Sequence, residues 1–323
     1  MAATAALASI LPFANLAGTN SPATNSRAAN AMAAGAATPT SSGADPLTAP
    51  ILSNNAHRWL GAQVPVRVHG NTYLVGFSGL NVALIRTANG LVLIDGGLPQ
   101  GVAAVQGNMA QLGLSITDVR AIFSTEPHMD HAAGLAALAR DSGAMVYAGR
   151  AAVAELRAGR NSPADPQYGS LMDFPSIARV RGVGNGHVVR VGGVAITALA
   201  TPGHTAGSMS WSWKSCDGAD CKTIVFASSI NPVSADEYRF SAPSSAPVRA
   251  AYSRTFARLE AAPCDILLSA HPEQSGGDAA YTRLRAGVTP NPFINPGACR
   301  AYAARFRERL NARLAEEGAG ATP

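Results

Sequence analysis

Four histidines, His128, His131, His204 and His271, each stand just beyond a segment with strand character, in "VRAIFSTEPHMDH", "VAITALATPGH" and "DILLSAH". Strand ends feeding loops are where α/β proteins assemble their sites. If these histidines act together, the fold must bring three loops, far apart in the chain, to one place. The other three, His57, His69 and His187, have no acidic or histidine neighbours and read as ordinary surface or core histidines.

The pattern around them is compatible with such a convergence. "TYLVGF", "NVALIRT" and "GLVLIDGG" read as successive strands with Gly and Asn turns between them. "LPQGVAAVQGNMAQLGL" has helical spacing, "VRAIFS" suits a buried strand, and "LAALARDSG", "AMVYAG" and "RAAVAELRAG" continue as helix, strand and helix. After the polar loop "NSPADPQYGSLMDFPS", strands return in "GHVVRV", "VAITALAT", "SMSWSWKS" and "KTIVFAS". A helix in "APVRAAYSRTFARLEA", a strand in "DILLSA" and a long helix in "ACRAYAARFRERLNARLAEE" close the chain. Strands and helices, then strands and helices again, predict two similar α/β halves with their sheets face to face and helices outside. The 47% hydrophobic content is ample for one such core.

The first residues do not join that core. "MAATAALASILPFANLAG" has an apolar centre of signal-peptide length, and Ala31 to Ala33 is a small-x-small cleavage pattern, although the first cation is Arg27. Residues 1–48 read as an export signal and a low-complexity segment, and residues 49–323 as a single domain expected in the periplasm or outside the cell. No stretch reaches the roughly 20 apolar residues of a membrane span. The charge of +5 is nearly all arginine, with Lys214 and Lys222 the only lysines, and forms no basic cluster, which argues against nucleic acid as a partner. A monomer acting on a small molecule is expected.

Cys216 and Cys221 flank the turn "DGAD" and face each other across a hairpin; Cys264 and Cys299 would close a longer loop, worth about 3–4 kcal/mol on the chain-entropy model. Four free buried thiols are the alternative, but export and an even number favour two disulfides.

H-x-D-H on a short loop offers two imidazoles and a carboxylate to one cavity, the nitrogen and oxygen donors zinc prefers. Asp130 has a structural alternative as a helix cap. That role leaves His131 in the same turn without a reason to be histidine. Asp95, in "IDGG", reads as an acceptor that orders the histidine loop through hydrogen bonds, with Gly96 and Gly97 making the turn.

On "LVLIDGG", "EPHMDH", "TPGHTAGSMSW" and "LLSAHPE", the sequence from about Ile51 onward resembles the metallo-beta-lactamase superfamily. The resemblance implies a four-layer αββα sandwich with the metal site between the sheets. It implies two zinc ions, one held by Glu126, His128 and His204 and the other by Asp130, His131 and His271. Where thioesterase-like and nuclease-like branches carry a metal-bridging aspartate, this chain has "FASSINPV". That serine pattern, the "QYGSLMDFP" loop and the "ACRAYAARF" helix are similar to the third subclass of class B beta-lactamases. The resemblance then implies a zinc hydrolase that opens the beta-lactam amide by attack of a metal-bound hydroxide. By the same resemblance, Asp130 would orient that hydroxide, and Ser229 and Asn231 would lie near the substrate carboxylate. A lactone or thioester hydrolase on the same fold, or a metal-binding protein without turnover, are the alternatives.

The departure from the family is Glu126, where histidine is usual. A glutamate oxygen is an acceptable zinc ligand, and Pro127 biases Glu126 toward extended geometry facing the cavity. One more carboxylate removes one unit of formal charge from the two-zinc site, with weaker pull on an anionic substrate.

Overall fold

A computed structural model describes residues 44–319. The export signal falls outside the described residues. The first described element is a 3-10 turn, Pro46–Thr48, whose cap Asp45 accepts the Leu47 N–H at 3.0 Å and pairs with Arg140 at 2.8 Å. Leu47 packs against the core, so the folded body starts a few residues before Ala49, where composition alone places its edge.

Seven strands make one sheet in chain order: β1 (Val66–His69), β2 (Thr72–Leu74), β3 (Ala83–Thr87), β4 (Gly90–Ile94), β5 (Val119–Phe123), β6 (Met145–Gly149) and β7 (Val180–Val183). It is antiparallel up to β4 and parallel from there. The second sheet runs in the order β12-β11-β10-β9-β8, from β8 (Val188–Val191), β9 (Val194–Ala200), β10 (Met209–Asp217), β11 (Asp220–Ala227) and β12 (Ile266–Ser269). Only β11 and β12 are parallel there.

The helices of the first half are α1 (Ala56–Trp59), α2 (Val102–Gln111), α3 (Met129–Ala132), α4 (Leu135–Ser142) and α5 (Val153–Ala158). Those of the second are α6 (Ala246–Ala261), α7 (Pro272–Ser275), α8 (Gly277–Arg285) and α9 (Ala298–Ala319). Apolar residues of α2, α4 and α5 cover the outer face of the first sheet, and those of α6 and α9 cover the second. Between the sheets lies a third cluster, with Ile85, Val92 and Phe123 on one side and Ile196, Trp211 and Phe226 on the other. Each buried Ile or Phe there contributes roughly 1.5–3 kcal/mol. This is the αββα sandwich.

Polar bonds fix how the sheets sit. Trp211 and Trp213, two apart on β10, point to the same face; their indole N–H groups donate to the Ser124 carbonyl at 3.1 Å and to Thr72 Oγ1 at 2.9 Å. Both indoles therefore tie the second sheet to the first.

Several elements differ from the sequence reading. The strand expected over 72–77 stops at Leu74, because the chain turns at Gly76, where a Cβ would lie 2.4 Å from the Leu80 carbonyl oxygen. That turn lets Asn81 donate to the carbonyls of Ala270 and Ser269, next to His271. Strand β7 was not anticipated, since "VRGV" is short and carries Gly182, where a Cβ would meet Val153 at 2.8 Å. Helices α7 and α8, after His271, also escaped the pattern.

Both disulfides form: Cys216 with Cys221, directly opposed across β10 and β11, and Cys264 with Cys299, joining the start of β12 to α9. No helix among the described residues is long and apolar enough to cross a membrane.

Candidate metal centre

The loop after β5 is held open from below. Asp95, at the end of β4, adopts a left-handed backbone with φ of 63°, a conformation that aspartate tolerates better than most residues. There its carboxylate accepts the Thr125 N–H at 2.7 Å and the Thr125 hydroxyl at 2.6 Å, and lies 3.1 Å from His131 Nδ1. Gly134 and Gly96 let the loop return past the same turn: a Cβ on Gly134 would lie 2.3 Å from the Gly96 oxygen. The role read for Asp95 from the sequence is what the hydrogen bonds describe.

Held in this way, the loop presents Glu126, His128, Asp130 and His131 inward, all buried. His204 arrives from the β9–β10 connection and His271 from the end of β12, so both sheets contribute at one edge of the sandwich. The side chains fall into two triads, Glu126 with His128 and His204, and Asp130 with His131 and His271. Within each, the donor atoms lie within 4.8 Å of one another. Asp130 does not cap α3; its Oδ2 sits 3.1 Å from His271 Nε2 and 3.7 Å from His131 Nε2.

Glu126 lies between the triads. Its Oε1 is 3.0 Å from His131 Nε2, 3.5 Å from His204 Nε2 and 3.8 Å from His128 Nδ1. Its Oε2 accepts the Ser229 N–H at 2.9 Å. The outer nitrogens of the imidazoles are engaged as well: His204 Nδ1 donates to the Asn231 carbonyl at 2.7 Å, and His128 Nε2 lies 2.9 Å from Asp165 Oδ2. The Gln167 amide nitrogen is 3.1 Å from His204 Nε2.

Charge is strongly coupled here. Burial pushes the Glu126 and Asp130 carboxyls up, but the surrounding imidazoles outweigh it and hold both below the usual carboxylate range. Burial depresses His131, yet Glu126 and Asp130 carry it well above its ordinary value. Burial dominates at His204, which is lowered.

A cavity of about 220 Å³ opens onto the triads, lined by Ser229, Asn231, Arg58, Trp59 and Leu171 among others. Ser228 is turned away and bonded to Thr201. A larger cavity, about 860 Å³, lies between α6 and β9 to β11, where no histidine, cysteine or carboxylate lines it.

The sequence reading missed Asp165 and Gln167. Both sit in "NSPADPQYGSLMDFPS", a loop without periodicity, and nothing short of the fold brings it over His128 and His204. Arg58 was missed because α1 is a single turn with one apolar anchor, Trp59.

Glu126 Oε1 is buried without a hydrogen-bond partner, while it faces three imidazole nitrogens. An orphaned carboxylate oxygen is costly unless something positive meets it. With nitrogen and oxygen donors in two sets of three, the residues fit two zinc ions.

A family model described as the metallo-beta-lactamase superfamily matches residues 75–219. Among solved structures, a B3 metallo-beta-lactamase described as the first with an active-site glutamic acid is 50% identical, with a TM-score of 0.79, over 85% of this chain and 99% of its own. The Rm3 metallo-beta-lactamase is 43% identical, with a TM-score of 0.79, over 83% of this chain and 100% of its own. The metallo-beta-lactamase SMB-1 is 41% identical, with a TM-score of 0.77, over 80% of this chain and 99% of its own.

Proposed function

Because this chain belongs to the metallo-beta-lactamase superfamily, we propose that it is a zinc-dependent hydrolase that opens the amide bond of beta-lactams. The observation that carries the reading is the pair of buried triads with the unpartnered Glu126 oxygen between them. Glu126, His128 and His204 hold one zinc; Asp130, His131 and His271 hold the other. Bound there, the two ions supply an activated water and a positive centre for charge developing on the lactam oxygen.

The chain's own groups set up that chemistry. Asp130, whose Oδ2 lies 3.1 Å from His271 Nε2, would both hold the second zinc and accept a hydrogen bond that orients the attacking water. Asp95 fixes His131 through Nδ1, and the Asn231 carbonyl fixes His204 through Nδ1, which leaves each Nε2 as the ligand atom. Ser229 and Asn231 line the cavity where the substrate carboxylate rests, and Arg58 at its mouth adds a cation.

A lactone or thioester substrate is disfavoured by the end of β11. There Ser228 and Ser229 stand where a bridging carboxylate is needed, and both are engaged by neighbours. All six proposed ligands lie in one chain, so the site needs no residue from a second copy. Two disulfides support a periplasmic or secreted location.

The test is hydrolysis of a penicillin, a cephalosporin and a carbapenem by purified protein, with and without chelator. Turnover lost on chelation and restored by zinc is expected; activity that survives metal removal would overturn the mechanism.

A further inference from the structure

The segment closed by the bond from Phe174 N–H to the Gly159 carbonyl reaches the first triad through Asp165 at His128 and Gln167 at His204. Asp165 is buried, and each of its two side-chain oxygens has its own partner. Oδ2 lies 2.9 Å from His128 Nε2 and also accepts the Asn161 amide at 3.5 Å, while Oδ1 accepts the Gln167 N–H at 2.7 Å. An ionised carboxylate only accepts, so His128 donates from Nε2, and the neutral ring then keeps its lone pair on Nδ1. Nδ1 is the atom that faces Glu126 Oε1.

The Gln167 side of the same carboxylate organises the rest of the segment. Tyr168 N–H donates to the Asp165 carbonyl at 3.0 Å, and Ser170 donates through both its N–H and its hydroxyl to the Gln167 carbonyl. Immediately beyond, Leu171 and the exposed Met172 form, with Trp59, part of a second cavity of about 570 Å³ at the entrance. Metal ligand and cavity wall are thus two ends of one short chain of bonds.

We propose that Asp165 is a positioning residue that sets the ligating nitrogen of His128 and couples zinc binding at the first triad to ordering of the 165–172 wall. The proposal rests on the triads being a zinc site, but not on what the enzyme hydrolyses. Coupling of this kind is reciprocal: whatever zinc does to order the wall, an ordered wall does to zinc affinity by the same factor.

Two variants separate positioning from simple support. Asp165→Asn keeps an acceptor for Gln167 N–H but turns an amide donor toward His128, which favours the opposite tautomer. Asp165→Ala removes both contacts. Zinc titration with a competing chelator should give a loss of about 10–100-fold in affinity for one zinc in both variants, with the other zinc retained. Nitrogen-15 shifts of His128 in the metal-free protein should report Nε2–H in the unsubstituted protein and Nδ1–H in Asp165→Asn. Hydrogen exchange at 165–172 should slow on zinc addition in the unsubstituted protein and not in Asp165→Ala. Unchanged zinc affinity together with an unchanged His128 tautomer in Asp165→Asn would overturn the proposal alone. An unsubstituted protein that binds no zinc would overturn both this proposal and the functional reading.

Discussion

The backbone N–H of Ser229 donates to Oε2 of Glu126 at 2.9 Å, so a residue after β11 in one sheet holds a carboxylate that follows β5 in the other. The bond occupies one carboxylate oxygen and leaves Oε1 alone for metal.

Glu126→Ala removes the only oxygen donor of its triad. Zinc content should fall from two ions per chain to one by elemental analysis, and turnover by more than about 100-fold. Glu126→His restores a ligand but not the acceptor for Ser229 N–H; activity is expected to persist, with altered zinc affinity or substrate preference. Equal zinc content and kinetics for the unsubstituted protein and Glu126→Ala would refute ligation.

Asp95→Ala leaves the Thr125 N–H and His131 Nδ1 without their acceptor in a buried site and keeps the left-handed backbone that alanine tolerates poorly. A stability loss of about 2–4 kcal/mol is expected in urea denaturation. Asp95→Asn, which accepts that backbone and keeps one acceptor, should lose less. The reverse order would count against the role given to Asp95.

In protein stripped of metal, His131 holds its proton well above the ordinary histidine range, because Glu126 and Asp130 outweigh the opposing effect of burial. Zinc has to displace that proton. Affinity should therefore rise with pH throughout the range below that raised value and level off above it. The same proton contributes stability to the metal-free protein that is present below the ordinary histidine value and lost as pH rises through the raised one. Chelator competition over a pH series that starts below the ordinary histidine value, paired with thermal melts of the stripped protein, checks both. An affinity independent of pH would contradict the site's charge arrangement.

Arg58 is exposed at the cavity mouth and has no ion-pair partner among the described residues. Arg58→Ala should raise KM for carboxylate-bearing substrates by about 3–10-fold at low salt and by less at high salt, with kcat nearly unchanged. A change confined to kcat would place Arg58 elsewhere in the reaction.

Loss of the Cys264–Cys299 bond, by serine at both positions, should cost about 3–4 kcal/mol; loss of the hairpin bond should cost less, because it closes a much shorter loop. Denaturant midpoints of the two double variants compare them directly.

The layered fold and the six residues of the two triads were legible in the sequence because they depend on local signals: alternating strands, helices ending at Gly143 and Gly159, and histidines just past strand ends. Asp165, Gln167 and Arg58 were not. Their importance comes from where an irregular loop and a one-turn helix come to rest, and that is settled by long-range contacts such as Gly79 packing on the Arg58 carbonyl and Pro166 accepting the Ala235 N–H. The short β7 was hidden for a related reason, since a glycine chosen for close packing looks like a breaker when read along the chain.

Strands β10 and β11 begin and end at the metal edge, and their turn at Gly218 lies at the far end. Nine extended residues, Met209–Asp217, span about 30 Å. A dye, surface linker or fused partner attached at that disulfide-braced tip would stand clear of the cavity, and an immobilised layer of the protein would face its reactive edge toward the solution.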